Sequence, residues 1–211
     1  MFQQYAVFDN FLDDPGQIVK SLQTQRYYLQ AGKDFEGQII NDIPLEINYG
    51  DTQLPGDPRF GSPNWIGYRT RDLQEIDVEA YQVIVNKLFN TLFSSFSAPQ
   101  IEFEAETHYH ILTEDFTPTP GWFHTDQSKL LAGVLYLAEN PPPNSGTIVH
   151  IGEEKHEIEN RFNRLIIYNS NLVHSVQGCF GNSMNTARAT FVFFIRNLSI
   201  YNDLIPIEGQ A

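Results

Sequence analysis

The sequence predicts a mainly β chain in which N-terminal helices pack on a double-sheet β fold. Three observations lead there. Apolar residues repeat with a helical period only before residue 100, and with the period of two typical of strands after it. Pro- and Gly-rich stretches, notably Asn140 to Gly146 and Gln177 to Asn185, then separate a run of about eight short strands. Apolar residues make up 41% of the chain and aromatic residues 13%, enough to fill a core and to exclude general disorder.

Tyr5 to Asp9 reads as a strand and Asn10 to Asp14 as a turn. Asp14-Pro15-Gly16-Gln17 has the chemistry of a helix start: an acidic cap, proline at the first helical position, and a glutamine placed to reach back as in a capping box. Ile18, Leu22 and the Tyr27-Tyr28 pair form its patchy apolar face. From Asn41 to Asp72, eight of 32 residues are Pro or Gly, with no periodicity. A segment of this kind is either a substrate-side lid carrying Arg59, Tyr68, Arg69 and Arg71 or a solvated surface loop. Val78 to Phe96 is the clearest helix, capped by Asp77, with Tyr81, Ile84, Val85, Leu88, Leu92, Phe93 and Phe96 on a packing face. Beyond Pro99, strands are expected at Ile101–Leu112, Trp122–Asp126, Leu130–Leu137, Thr147–Ile151, Arg164–Tyr168, Leu172–Val176 and Ala187–Arg196. On the first of these, Ile101, Phe103, Ala105, Thr107, Tyr109 and Ile111 share one face.

The 26 acidic residues outnumber the 13 basic ones, giving a formal charge of −13. That balance argues against a nucleic-acid partner and against an anionic membrane surface. Cys179 is the one cysteine, so an intrachain disulfide and a CxxC knuckle are both excluded, which agrees with a reducing compartment. Met1 to Asn10 lacks a basic region ahead of an apolar one, and no run approaches the ~18 apolar residues of a membrane span. A soluble, cytoplasmic chain is the expectation.

The six histidines divide into three groups. His150 and His156 flank Glu153, Glu154 and Lys155, as in a solvated hairpin. His108, His110, Glu114 and Gly121 match HxHxxxExxxxxxG, which resembles the first motif of the metal-binding cupins. Glu102 stands where that motif has its preceding glycine, and the second cupin motif is absent. His124-Thr125-Asp126 is the third case. On a strand, residues i and i+2 project from one face, so an imidazole and a carboxylate converge. A distant histidine would complete a facial triad of two histidines and one carboxylate. His174 is placed for that, on the strand after the turn Asn169-Ser170-Asn171. Fourteen residues further on, Arg188 interrupts an apolar strand, where a buried guanidinium calls for an anion, and Thr190 shares its face.

The order HxD, Leu135-Tyr136-Leu137, Arg164-Leu165-Ile166-Ile167-Tyr168, His174-Ser175 and Arg188-Ala189-Thr190-Phe191 resembles the Fe(II)/2-oxoglutarate-dependent dioxygenases, in particular their prolyl-4-hydroxylase-like branch. The likeness is strongest over Ile101 to Arg196 and extends more weakly to Tyr5. It implies a distorted double-stranded β-helix, or jelly roll, flanked by N-terminal helices in one domain. Residues 1–100 would form a helical and lid region, 101–197 the jelly-roll core and 198–211 a tail. It implies Fe(II) on His124, Asp126 and His174, and 2-oxoglutarate held by Arg188 with Thr190, Tyr136 and Tyr109 in support. Leu131, Val134, Val192 and Phe194 would close the cavity to water. The implied reaction consumes O2 and 2-oxoglutarate, releases succinate and CO2, and hydroxylates a C–H bond of a small-molecule or peptidyl substrate, with ascorbate as a reductant. A prolyl or other amino-acid side chain suits the branch.

Two departures stand out. The branch usually places its basic residue sooner after the histidine, and often as lysine. The Arg-x-Asn-x-Thr-Phe-Arg run of the nucleic-acid demethylases is missing its second arginine here. A cupin-type metal site on His108, His110 and Glu114 and a non-catalytic jelly-roll binding module are the competing readings.

Overall fold

The computed structural model describes residues 4–25, 27–29, 67–94, 96–97, 101–114, 123–126, 129–201 and 205–206. In chain order the elements are β1 (Tyr5–Phe8), α1 (Pro15–Thr24), β2 (Tyr28–Leu29), β3 (Tyr68–Arg69), α2 (Leu73–Ile76), α3 (Val78–Leu92) and β4 (Phe96–Ser97). There follow β5 (Ile101–Leu112), β6 (Leu131–Tyr136), β7 (Thr147–Ile151), β8 (Glu154–Ile158), β9 (Leu165–Asn169), β10 (His174–Val176), β11 (Arg188–Ile200) and β12 (Ile205–Pro206). Among the described residues a seven-stranded sheet runs β1-β9-β6-β11-β5-β3-β2, and a three-stranded sheet runs β10-β7-β8. The named pairs are antiparallel. This is the mainly β, double-sheet architecture with N-terminal helices that the sequence predicts. Among the described residues no helix is long and apolar enough to cross a membrane.

Alternation along the long strands sorts the core into two layers. Leu135, Ile167, Phe191, Phe193 and Ile195 point to one face of the large sheet, where they pack with Ile18 and Leu22 of α1 and Ile84 and Leu88 of α3. Ala132, Val134, Ile166, Tyr168, Val192 and Phe194 point to the other face and meet Val149 and Ile158 of the small sheet. Each strand is therefore buried on both sides, which explains the near-continuous apolar runs of β6, β9 and the first half of β11.

The helix starts follow the expected chemistry with one change. Asp14 accepts the Gln17 backbone N–H, Pro15 opens α1, and Asp77 accepts the Ala80 N–H at the start of α3. The Gln17 side chain does not reach back, however. It donates to Glu79 at 3.0 Å and ties α1 to α3. Helix α3 ends at Leu92 and not at Phe96 because the Ser94 hydroxyl takes the Thr91 carbonyl, and Phe96 is drawn into a pair with β12. Helix α2, capped by Asp72, is too short for periodicity to reveal.

One buried asparagine fastens the N-terminal arm to the sheet. Asn163 adopts φ 58°, its side chain accepts from Leu12 N–H at 2.9 Å and donates to the Leu12 carbonyl at 2.8 Å, and its own carbonyl takes Phe11 N–H. Asn163→Ala strands both Leu12 groups and keeps a left-handed backbone that alanine disfavours. Urea unfolding is expected to show a loss of about 2–4 kcal/mol, with secondary structure otherwise native.

Candidate metal centre

His124, Asp126 and His174 come together although 50 residues separate the two histidines. Backbone bonding does the positioning. His124 and His174 exchange N–H···O=C bonds of 3.0 and 2.9 Å across an isolated antiparallel bridge, and Asp126 N–H donates to the Ser170 carbonyl at 2.9 Å. The segment is thus a single bridge rather than the full strand expected at Trp122–Asp126; Trp122 lies outside the described residues. The turn between β9 and β10 supports it, since the Ser170 hydroxyl donates to the Lys129 carbonyl. One ligand atom from each side chain falls within 4.8 Å of the others, and this is the group of metal-ligating side chains found among the described residues.

The protonation pattern suits a cation. His174 Nδ1 lies 2.9 Å from the Leu172 carbonyl, which only accepts, so the ring proton sits on Nδ1. The lone pair of Nε2 then faces Asp126 Oδ2 at 3.3 Å. That carboxylate oxygen is buried and has no hydrogen-bond partner. Two lone-pair atoms opposed at this distance repel unless a positive ion lies between them. Burial, helped by the neighbouring His174, pushes His124 down to about 4, so its ring is neutral and able to ligate at neutral pH. The donor set of two imidazoles and a carboxylate matches a divalent first-row metal with open positions.

A cleft of about 540 Å3, including its mouth, opens over these three residues, walled by Arg69, His110, Tyr168, Val192, Phe194 and Arg188 among others. Arg188 is only 3% exposed. Its guanidinium donates to the Ser145 carbonyl at 3.1 Å and the Gly146 carbonyl at 3.5 Å, and lies 5.5 Å from the Tyr136 ring centroid. Gly146 serves a different contact, the close approach of the end of β8, because a Cβ there would run into the Ile158 carbonyl. Among the described residues no carboxylate pairs with Arg188, and donors of its fork remain for the cleft.

The other expected cosubstrate residues sit differently. Thr190 does share the face of Arg188, but its hydroxyl donates to the His110 carbonyl within the sheet. Tyr136, cross-strand from Thr190, donates to the Thr147 hydroxyl at 2.7 Å and backs the Arg188 guanidinium. Tyr109 is a correction. Alternation along β5 turns it to the helical face, where its hydroxyl meets Ser21 at 2.9 Å, and its neighbour His110 faces the cleft instead. Leu131 also packs on the helical face, whereas Val134, Val192 and Phe194 line the cleft as expected. The cupin set does not converge: His108 Nδ1 is on the Thr70 carbonyl at 3.0 Å and Glu114 is exposed. His150 and His156 fall on the β7–β8 hairpin as expected, but they are half-buried rather than solvated, with both Nε2 atoms shielded from solvent.

Arg69 and Tyr168 also line the cleft, next to the metal-ligating group. The expected lid set of Arg59, Tyr68, Arg69 and Arg71 does not stay together: Arg59 lies outside the described residues, Tyr68 packs in the helical core, and Arg71 pairs with Glu75 on the surface. Arg69 is a buried residue of β3 beside His110. Tyr168 shares the cleft face with Ile166 by alternation, a signal present in Leu165-Ile166-Ile167-Tyr168.

Acid sensitivity follows from His108. Burial, and then the Arg69 charge, push it down to about 4 from an ordinary 6.5. Below 6.5 the unfolded chain takes up a proton that the folded chain refuses, so stability is complete above that pH and falls as pH drops towards 4. The slope is up to about 1.4 kcal/mol per pH unit for each such histidine, and His124 adds its own in metal-free protein. Urea midpoints taken from about pH 7 to about pH 5, above the carboxylate range, are expected to fall, and His108→Gln to remove about half of the slope.

No family model and no curated protein sequence matches the chain. Solved structures do match it in fold. A Pseudomonas putida prolyl-4-hydroxylase aligns at TM-score 0.54 and 14% identity over 92% of each chain. A Trichoplax adhaerens prolyl hydroxylase, in complex with a hypoxia-inducible-factor peptide fragment, aligns at TM-score 0.52 and 14% identity over 91% of this chain and 83% of that one. The non-heme α-ketoglutarate-dependent epimerase SnoN of nogalamycin biosynthesis aligns at TM-score 0.56 and 11% identity over 99% of this chain and 86% of that one. The chain therefore has the jelly-roll fold of the prolyl hydroxylases and other 2-oxoglutarate- and iron-dependent oxygenases.

Proposed function

We propose that the protein is an Fe(II)- and 2-oxoglutarate-dependent oxygenase that hydroxylates a C–H bond. The observation that carries this reading is the convergence of His124, Asp126 and His174 on one point, with the Asp126 Oδ2 atom buried and unbonded, at the floor of a cleft. His124 Nε2, one Asp126 oxygen and His174 Nε2 would hold the iron on one face. With the cosubstrate bound, iron would activate O2, the oxidant, which alone reacts too slowly with a C–H bond. The chain's own contribution is orientation and a dry wall. The Leu172 carbonyl fixes the His174 ring, and the backbone bridge to His174 sets His124. Arg188 would take the distal carboxylate of 2-oxoglutarate with the fork donors left over from Ser145 and Gly146, while Tyr136 and Thr190 keep that guanidinium's surroundings in place. Val134, Val192 and Phe194 exclude water around the reacting centre.

The substrate is proposed as a small molecule or a peptidyl group, an amino-acid side chain among them; the Trichoplax neighbour was solved with a peptide. The test is spectroscopic and then chemical. Anaerobic protein with Fe(II) should develop a visible charge-transfer band on adding 2-oxoglutarate, and admitting air should release succinate. Absence of the band with iron bound would sink the assignment.

A further inference from the structure

Arg69 and Tyr168 stand on the cleft wall away from Arg188, and the strand register shows how they relate. Phe194 on β11 is cross-strand from Ala132 on β6, and Ala132 is cross-strand from Tyr168 on β9. Phe194, Ala132 and Tyr168 therefore form one row across the sheet, with the single methyl of Ala132 between two aromatic rings. The Arg69 guanidinium lies 5.5 Å from the Phe194 ring centroid, so it projects over one end of that row, and Tyr168 forms the other end. The two groups interact electrostatically, and Asp126 of the metal centre attracts Arg69 as well. Tyr168 is 4% exposed, its ring lies 4.6 Å from that of His174, and it lines the cleft. Among the described residues its hydroxyl makes no hydrogen bond. The hydroxyl is open to the cleft, which leaves a donor available to an acceptor beside the candidate metal centre. Arg69 has five N–H donors in a fork, enough to serve a wall partner and a ligand together.

Arg188 does not compete for the same ligand atom. It lies over Tyr136, which is level with Thr190, whereas Arg69 lies over Phe194, four residues further along β11. The Arg69 backbone is itself level with Thr190 through His110, and its side chain reaches away along the sheet, so the two guanidinium groups lie over different rings of one cleft.

We propose that Arg69 and Tyr168 form a second anion-holding position, which binds a carboxylate of the substrate next to the metal centre. The guanidinium fork and the phenol O–H would grip one carboxylate, and Leu112, Val192 and Phe194 would receive an apolar body. The substrate class is a small carboxylic acid with an aliphatic or aromatic body. This rests on the oxygenase reading, in which Arg188 is already committed to the cosubstrate.

The test uses full-length protein loaded with Mn(II), which leaves the reaction unable to start, and isothermal titration. The first titration adds 2-oxoglutarate; failure to bind here overturns the oxygenase reading, and the next titration is then run on Mn(II)-protein alone. The second adds hexanoate or its neutral match, hexanamide. Hexanoate is expected to bind at least about tenfold more tightly than hexanamide. Tyr168→Phe, which removes only the hydroxyl, should cost about five- to tenfold for hexanoate and nothing for hexanamide. Arg69→Met should abolish the preference, and both variants should keep wild-type affinity for 2-oxoglutarate. Equal binding of acid and amide by the wild type, or no binding of either, overturns the proposal. So does a loss of 2-oxoglutarate affinity in Arg69→Met and Tyr168→Phe as large as the loss for hexanoate, because the pair would then belong to the cosubstrate.

Discussion

His174→Ala is expected to abolish tight Fe(II) binding and, with it, succinate release. Of the three proposed ligand residues His174 is the best fixed: it is buried, its Nδ1 proton is committed to the Leu172 carbonyl, and its backbone pairs with both His124 and Val149. Losing a partner behind a metal-bound histidine typically costs 10- to 100-fold in affinity, so losing the ligand itself should cost more than about 100-fold. The backbone bridge to His124 survives the substitution, so the fold should survive as well. Metal-free His174→Ala is expected to lose stability modestly, because the buried ring that packs against His124 and Tyr168 is gone. Anaerobic Fe(II) titration and thermal unfolding of the metal-free forms read these two effects separately. Full Fe(II) affinity in His174→Ala would refute the assignment of the centre.

Periodicity and residue order make most of this centre legible in the sequence. The alternation of β5, β6, β9 and β11 and the apolar stripe of α3 gave the layers, and His124, Asp126, His174 and Arg188 sit on strands or bridges whose faces alternation orients. What periodicity cannot decide is which of two faces turns inwards when both are buried. On β5 alternation puts Tyr109 with Ile101, Phe103, Ala105 and Ile111 and puts His110 with Glu102, Glu104 and Glu106, but it does not say which of the two faces borders the cleft, and the helices settle it through Ser21. Arg69 was hidden for a different reason. Its two-residue strand β3 has no period to read, and its burial comes from pairing with β5 forty residues later in the chain. Tyr168 was legible as a buried residue, but a tyrosine in an apolar strand usually finds a partner for its hydroxyl. Only the tertiary packing shows that this one does not.

Arg188→Met is expected to weaken 2-oxoglutarate binding by about two to three orders of magnitude while leaving Fe(II) affinity unchanged. A charge-assisted hydrogen bond is worth about 1.5–3 kcal/mol, and a forked contact with a carboxylate supplies two of them. Methionine keeps roughly the length and the apolar stem that packs against Tyr136, so most of the loss should come from charge and donors. A competing role is structural, since the guanidinium also caps the Ser145 and Gly146 carbonyls of the β6–β7 connection. Leaving those two acceptors dry would cost about 1–3 kcal/mol each. Arg188→Lys separates the two roles. Lysine keeps the positive charge but offers a point ammonium in place of a planar fork. If Arg188 anchors the cosubstrate, Arg188→Lys, which keeps the charge and loses the fork, should bind 2-oxoglutarate about tenfold or more weaker than the wild type yet clearly tighter than Arg188→Met. If Arg188 only pins the connection, both variants should lose stability in urea together and neither should lose cosubstrate affinity once folded. The buried guanidinium, with no carboxylate paired to it among the described residues, favours the first outcome. A chain gains nothing in stability by burying such a charge, and a dianionic ligand supplies the missing partner.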